Sequence, residues 1–395
     1  MMRMFMSILA VGLFLAPLGC AQTTNQVANA VGTFGLKFFS QVQEGAPKNY
    51  VFSPYSISAA FASILPVTSG ETRSEIQSTL GLDTLISQEM VIFNARHLSP
   101  EGKVASLANG WFVQKGLRLS APIRHNSALV QEVDFASNPE GARRKINKFV
   151  SKATRDLIKE VFPPGSVTRN TQLALANSLY FESEWQNHFK SELTKTGDFH
   201  GLGGKKEKAT LMTVQHLKLD FKEIPELEAK AIAFPYDGGA YHMLIIVPDQ
   251  PDGLQALIDH SSDPMGFSTF VEGYTRTPFS NVVLPKFSIQ TSIDALQKPL
   301  SKMGLESIFR TDSADLRIVE GGGLALDEAV HKALIEVDEI GTRATAATGF
   351  GLIPLSARID GGDFVVDRPF MYLLANRDGN TVLFMGTVVS PGVKA

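Results

Sequence analysis

The sequence has little of what catalytic and metal-binding chemistry requires. Its 395 residues hold a single cysteine, Cys20, which excludes an intrachain disulfide and leaves no thiolate cluster for structural zinc. The eight histidines include no His-Glu-x-x-His pair and no two at a four-residue helical spacing, so nothing points to a metalloprotease-type centre. Neither a Gly-x-Ser-x-Gly elbow nor a Walker loop occurs. The glycine groups Gly321 to Gly323 and Gly349/Gly351 do not join a strand to a helix, so they read as turns and not as phosphate cradles. Charged residues make up only 19% with a net charge of −3, which argues against nucleic acid as a partner. The expectation is therefore a chain that is not an enzyme and carries no metal and no cofactor. Internal repeats, low-complexity tracts and domain-separating linkers are also lacking, which favours one domain.

Long hydrophobic runs are lacking too. The stretch from Ile8 to Leu18, preceded by Arg3, is too short to span a bilayer and has the shape of an export leader. Residues 1–20 are accordingly set aside, and the folded domain is expected over 25–395. Cys20, directly after Leu18 and Gly19, resembles the lipid-modified cysteine of bacterial lipoproteins, which implies an acyl anchor. Pro17 departs from the small or aliphatic residue usual at that place. Plain secretion with cleavage after Ala21 is the alternative. Both imply export, as an envelope lipoprotein or a secreted protein, with membrane contact only through the anchor.

What is present is core material, since 44% of the residues are hydrophobic. Val27, Val31, Phe34 and Phe38 recur at helical spacing. Ser53-Pro54 and Asn138-Pro139 each place a cap before a proline at the first helical position, and the second start predicts a helix over Ala142 to Phe162. Strand-like runs cover Ser106–Val113, Leu173–Phe181, Met243–Val247, Val282–Ile289, Ala333–Val337, Phe370–Ala375 and Thr381–Val389. Helices early and strands late predict an α+β fold with large mixed or antiparallel sheets.

Arg144, Lys148, Lys152, Arg155 and Lys159 share one face of that predicted helix, opposite Ile146, Phe149, Val150 and Leu157. Such a stripe could bind a polyanion weakly or be a solvated outer face.

The segment from Glu339 to Ser356 is a run of small residues with one charge, Arg343, and so long a connection is usually functional or disordered. As a strand it would put Thr342, Ala344, Ala346, Thr348, Phe350 and Leu352 on one face and Arg343 on the other. A one-residue slip would bury the arginine, so a register is specified. Gly341 would give the chain freedom to fold back, and Pro354, lacking an amide, would end the strand. Alternation alone favours the other reading, a flexible Ala/Thr/Gly-rich connector that never inserts.

Several blocks decide between these readings by resemblance. Glu339 to Thr348 resembles the proximal hinge of the serpins, and His331 to Glu339 the strand leading into it. Asn49-Tyr-Val-Phe-Ser-Pro-Tyr-Ser-Ile-Ser, Val133-Asp-Phe with Ala142-Arg-Arg-Lys-Ile-Asn, and Ala176-Asn-Ser-Leu-Tyr-Phe with Trp185 and Phe189 match the same family. So do Leu284-Pro-Lys-Phe, Asp367-Arg-Pro-Phe and Leu383-Phe-Met-Gly-Thr-Val. The match covers about residues 27 to 391.

The resemblance implies a serpin fold: helices around large mixed sheets, with an exposed reactive-centre loop near the C-terminus. It implies suicide inhibition, in which a protease forms its acyl-enzyme on the loop, the freed segment 341–355 enters the central sheet, and the attached protease is carried to the far pole and distorted. By carry-over the scissile bond lies between Leu355 and Ser356, with Leu352, Ile353 and Pro354 also contacting the protease. Leucine there suits chymotrypsin-like or elastase-like serine proteases, with cysteine proteases a second class; Arg358 is the rival position and would suit a trypsin-like one. Glu339, Gly341, Thr342, Ala344, Ala346 and Ala347 match the hinge, though Ile340 and Arg343 stand where charged and acidic residues are common. Ser53, Ser56 and Asn177 match the region where the sheet parts, and His331 the top of the strand where insertion begins. A monomer is expected, and the alternative function is a non-inhibitory carrier or substrate.

Overall fold

The computed structural model describes residues 16–393 apart from 44, 84–85, 89, 91–103, 126–129, 261–265, 343–360 and 379. The helix α1 runs from Ala16 to Val42, through Cys20. Val27, Val31, Phe34 and Phe38 are all buried, as their spacing requires. The helix α2, Pro54–Ile64, starts on Ser53, whose side chain accepts from the Ser56 amide, with Pro54 at the first position. Nearly all of α2 is buried, so this is a core helix and not an amphipathic surface one.

Sixteen strands among the described residues form two sheets. One is built from β1 (Tyr50–Phe52), β16 (Val382–Val388), β15 (Phe370–Asn376), β9 (Tyr241–Pro248), β8 (Ala229–Pro235), β7 (Lys206–Ile224), β10 (Thr275–Pro285) and β14 (Gly362–Val365) in that order, with β6 (Lys195–His200) on β7. The other follows β3 (Val130–Val133), β2 (Ala105–Gln114), β4 (Leu173–Phe181), β12 (Glu328–Val337), β13 (Gly341–Thr342) and β5 (Ser183–Glu184), with β11 (Phe287–Ile293) on β12. The α+β expectation holds.

Two expectations need correction. Val282–Ile289 is not one strand: β10 ends at Pro285 and β11 starts at Phe287, so Lys286 carries the chain from one sheet to the other. Pro285 supplies no amide to continue the ladder. The helix starting at Asn138 spans only Pro139–Ala153, because Arg155 and Asp156 take positive φ values of 50° and 63°. Arg144, Lys148 and Lys152 therefore share an exposed helix face, whereas Arg155 and Lys159 lie on the strap that follows.

Candidate functional site

The central feature is a seam in the second sheet. β4 and β12 run parallel and pair from Glu328↔Ala174 to Lys332↔Ser178. Both strands continue, to Phe181 and Val337, without pairing to each other. Along this parted stretch each keeps its outer neighbour, β2 for β4 and β11 for β12, so the split is confined to this one line. A small cavity there is lined by Leu179, Tyr180 and Phe181 on one side, Leu334 and Glu336 on the other, and Thr154, Leu157 and Ile158 from the strap above.

At the closed end of the seam lies a buried polar network. The Ser53 amide donates to His331 Nε2 at 3.0 Å, so that nitrogen is an acceptor and the proton sits on Nδ1, 2.5 Å from Asn177 Oδ1. Ser56 Oγ donates to the same Asn177 oxygen at 2.8 Å, and Asn177 Nδ2 donates to the Ser56 carbonyl at 2.8 Å. Asn109 closes the cluster through both Asn177 and the Ser56 carbonyl. Burial pushes the His331 imidazole down to about 3, which keeps it neutral. Ser53, Ser56, Asn177 and His331 are thus brought together in one network. The placement of His331 needs correction: it sits where the pairing stops, at the closed end of the seam and not at the top of β12, because β12 runs on to Val337 before the chain turns.

The hinge occupies the other end. Asp338 Oδ1 accepts from the amides of Ile340 and Gly341 at 2.9 and 3.0 Å, and the Asp338 amide donates to the Gly341 carbonyl at 3.0 Å. This turn reverses the chain, so β13 lies antiparallel between β12 (Val337↔Thr342) and β5 (Gly341↔Glu184, Thr342↔Ser183). The role expected of Gly341 is corrected here. The fold-back is made by Asp338, and glycine is required because a Cβ would lie 2.1 Å from the Ser183 carbonyl oxygen. Glu339 forms an ion pair with Lys286 at 3.3 Å. Burial would raise its carboxyl, but its own amide, the Thr194 hydroxyl and Lys286 together hold it below the ordinary value. The Trp185 and Phe189 amides donate to the carbonyls of Ile340 and Glu339, and the Trp185 indole donates to Asp338 O at 3.0 Å.

Thr342 is 2% exposed, so its side chain lies in the core. Arg343, Ala344, Ala346, Ala347, Leu352, Ile353, Pro354, Leu355, Ser356 and Arg358 lie outside the described residues, as does the side chain of Cys20. Sequence reading missed Lys286, Thr194, Asp338 and Tyr236. Pro285 between two strand-like runs could have exposed Lys286 as a junction; nothing local marks the others.

A segment starting at β13 would run antiparallel to both β12 and β4, replacing one parallel ladder by two antiparallel ones, the more stable pairing per residue. The sheet is thus one that can take up a further strand from its own chain. A family model described as "Serpin (serine protease inhibitor)" matches residues 29–391, and the chain belongs to this family. It is 31% identical to the leukocyte elastase inhibitor of Sus scrofa, over 93% of this chain and all of that one. It is 34% identical to "Iris" of Ixodes ricinus, over 86% and 92% respectively. Among solved structures, Serpin48 of the insect Tenebrio molitor superposes with a TM-score of 0.81 at 25% identity, over 92% of this chain and 98% of that one.

Proposed function

We propose that the chain is a suicide-substrate inhibitor of serine endopeptidases that takes up its cleaved loop, residues 341–355, as a new strand between β4 and β12. One observation carries this reading: β4 and β12 are already parted beyond Ser178 and Lys332, with the first hinge residues lodged at the entrance of the gap. A fifteen-residue strand spans on the order of 50 Å, enough to move an attached protease along most of a domain. The protein is consumed in the act and turns nothing over.

The scissile bond is placed at Leu355–Ser356, with Leu352, Ile353 and Pro354 filling neighbouring protease pockets. A leucine fits a wide apolar primary pocket, and similarity to a protein named leukocyte elastase inhibitor supports chymotrypsin-like or elastase-like targets. The chain acts as an exported monomer, with Cys20 as its acyl anchor if it is lipidated. The relatives named above are animal proteins, so they lend a bacterial origin no support. The exposed Arg144, Lys148 and Lys152 face supports at most weak polyanion contact.

The test is to mix residues 21–395 with chymotrypsin and look for a covalent, SDS-resistant complex. Cleaved protein beside fully active protease would leave a substrate in place of an inhibitor. Leu355→Arg should transfer complex formation from chymotrypsin to trypsin; an unchanged preference would move the reactive bond elsewhere, Arg358 first.

A further inference from the structure

We infer that the exposed face of the helix Pro139–Ala153, together with the strap beside it, binds a linear sulfated polysaccharide. The site adds Lys145 and the strap's Lys159 to the three helix positions named above, and it does not depend on the inhibitor reading. Residues 139–160 hold seven arginines and lysines against three acids, a net charge of +4. The chain as a whole is at −3, so the remainder carries −7. Arg144, Lys145, Lys148, Lys152 and Lys159 are all exposed.

Glu140 of the helix and Glu160 of the strap do not cancel this charge, because the buried Arg143 engages both. It takes Glu140 through two hydrogen bonds of 2.8 and 2.7 Å and Glu160 at 3.1 Å. Arg144 has only a share of Glu140, at 3.3 Å, and Lys145 donates to the Glu132 carbonyl, which leaves its charge unneutralised. Arg155 pairs with Glu182 and is not part of the row. Among the described residues, the ammonium groups of Lys148, Lys152 and Lys159 have no ion-pair partner. Arg144, Lys148 and Lys152 stand four residues apart, a spacing at which like charges repel and weaken a helix. The helix dipole favours a cation only in the last turn, at Lys152. A bound polyanion relieves that repulsion.

The row fits a single extended chain, since its cations recur about every 6 Å along the helix axis. The strap returns beside the helix, where Asn147 holds the Val161 and Phe162 amides, so Lys159 is within reach of the same chain. An anionic bilayer would need apolar side chains to enter it, and the exposed large hydrophobics among the described residues are Val365 and Val393, on other parts of the chain. Single-stranded nucleic acid would need an aromatic platform, yet Phe149 of this helix packs on Phe112 at 5.5 Å. A wide duplex would meet the acidic remainder of the molecule.

The test measures heparin binding to the mature protein, without protease, by calorimetry at about 50 and about 200 mM salt. Four contacts to a single-chain polyanion predict a loss of roughly fiftyfold in affinity between the two conditions. Lys148→Gln combined with Lys152→Gln should weaken binding at the lower salt by at least about tenfold and halve the salt slope. Lys205→Gln combined with Lys206→Gln, the same change in charge on the exposed β6–β7 hairpin, should leave the affinity within about twofold of wild type. Hydrogen exchange at the Val161 and Phe162 amides should slow by about threefold or more when heparin is bound, and Lys159→Gln should abolish that protection. Equal losses in the two double variants would reduce the effect to net charge and overturn the site. Tighter capture on phosphatidylserine vesicles or on single-stranded oligothymidylate than on heparin would overturn the choice of polysaccharide. Protection that survives in Lys159→Gln would remove the strap from the site. Failure of the wild type to trap any protease would sink the inhibitor reading and leave these results standing.

Discussion

His331 is neutral because the structure leaves it no alternative. It is fully buried, and its Nε2 must accept from the Ser53 amide. Its folded value near 3 lies below the ordinary 6.5, so acid protonates the unfolded chain first. The stability this site supplies is complete above about pH 6.5 and drains away as the pH falls towards 3. At pH 4.5 the loss should be about 2–3 kcal/mol relative to pH 7.5. His242, pushed down to about 4 by burial and Arg377, contributes in the same direction, so the comparison must be with a variant. Urea midpoints of His331→Gln should fall less steeply between pH 7.5 and 4.5 than those of the wild type. Parallel profiles would show that this imidazole does not titrate with unfolding. At the same scale, Glu339 and Lys286 join the hinge to the point where the chain changes sheets, a relation no spacing in the sequence announces.

At the scale of elements, the strap after the helix Pro139–Ala153 bridges the two sides of the seam. Near its start, Arg155 reaches Glu182 Oε2 at 2.5 Å and lies 5.0 Å over the Tyr180 ring, both at the end of β4. Farther on, Lys332 of β12 donates to the Glu160 carbonyl at 2.8 Å. The strap is fastened back to its helix by Asn147, which binds the Val161 and Phe162 amides, and by Arg143 on the Phe162 carbonyl. One added strand moves β4 and β12 apart by about 4.8 Å, more than a hydrogen bond can stretch, so one tie must break during uptake. Arg155→Ala should therefore speed uptake of a nicked loop. Because this arginine is half exposed, the gain should be about two- to fivefold. Stopped-flow tryptophan emission reads it, and a rate equal to or below wild type would mean that the strap already moves freely. The helix start was legible from Asn138-Pro139. Its early end was not, because two non-glycine residues with positive φ are chosen by these tertiary ties.

For the whole molecule, the parted seam means that the fold in hand is not the one with the most strand pairing. It persists because reaching the better-paired state requires opening the sheet past the His331 network and the strap, a kinetic form of stability. On the function proposed above, cutting the loop frees its near segment to enter the sheet. Nicking after Leu355 should raise the apparent Tm by at least about 10 °C at a fixed scan rate; an unmoved transition would mean that no energy is stored. The α+β class and the order of the blocks could be read from the chain, because alternation and capping are local. The division into two sheets could not, since Val282–Ile289 looks continuous until Lys286 is seen to change layers.

By itself the sequence determined where the two capped helices begin and which of its apolar runs become strands, apart from the long β7 and the break at Lys286. These depend on residue type and period, which short stretches carry in full. Only the tertiary structure decided that pairing between β4 and β12 stops at Lys332 and that Asp338 makes the turn. It also decided that Tyr236, 106 residues before Thr342, is the side chain the hinge meets. Those features are contacts between distant segments, set by how two sheets and a strap pack against one another.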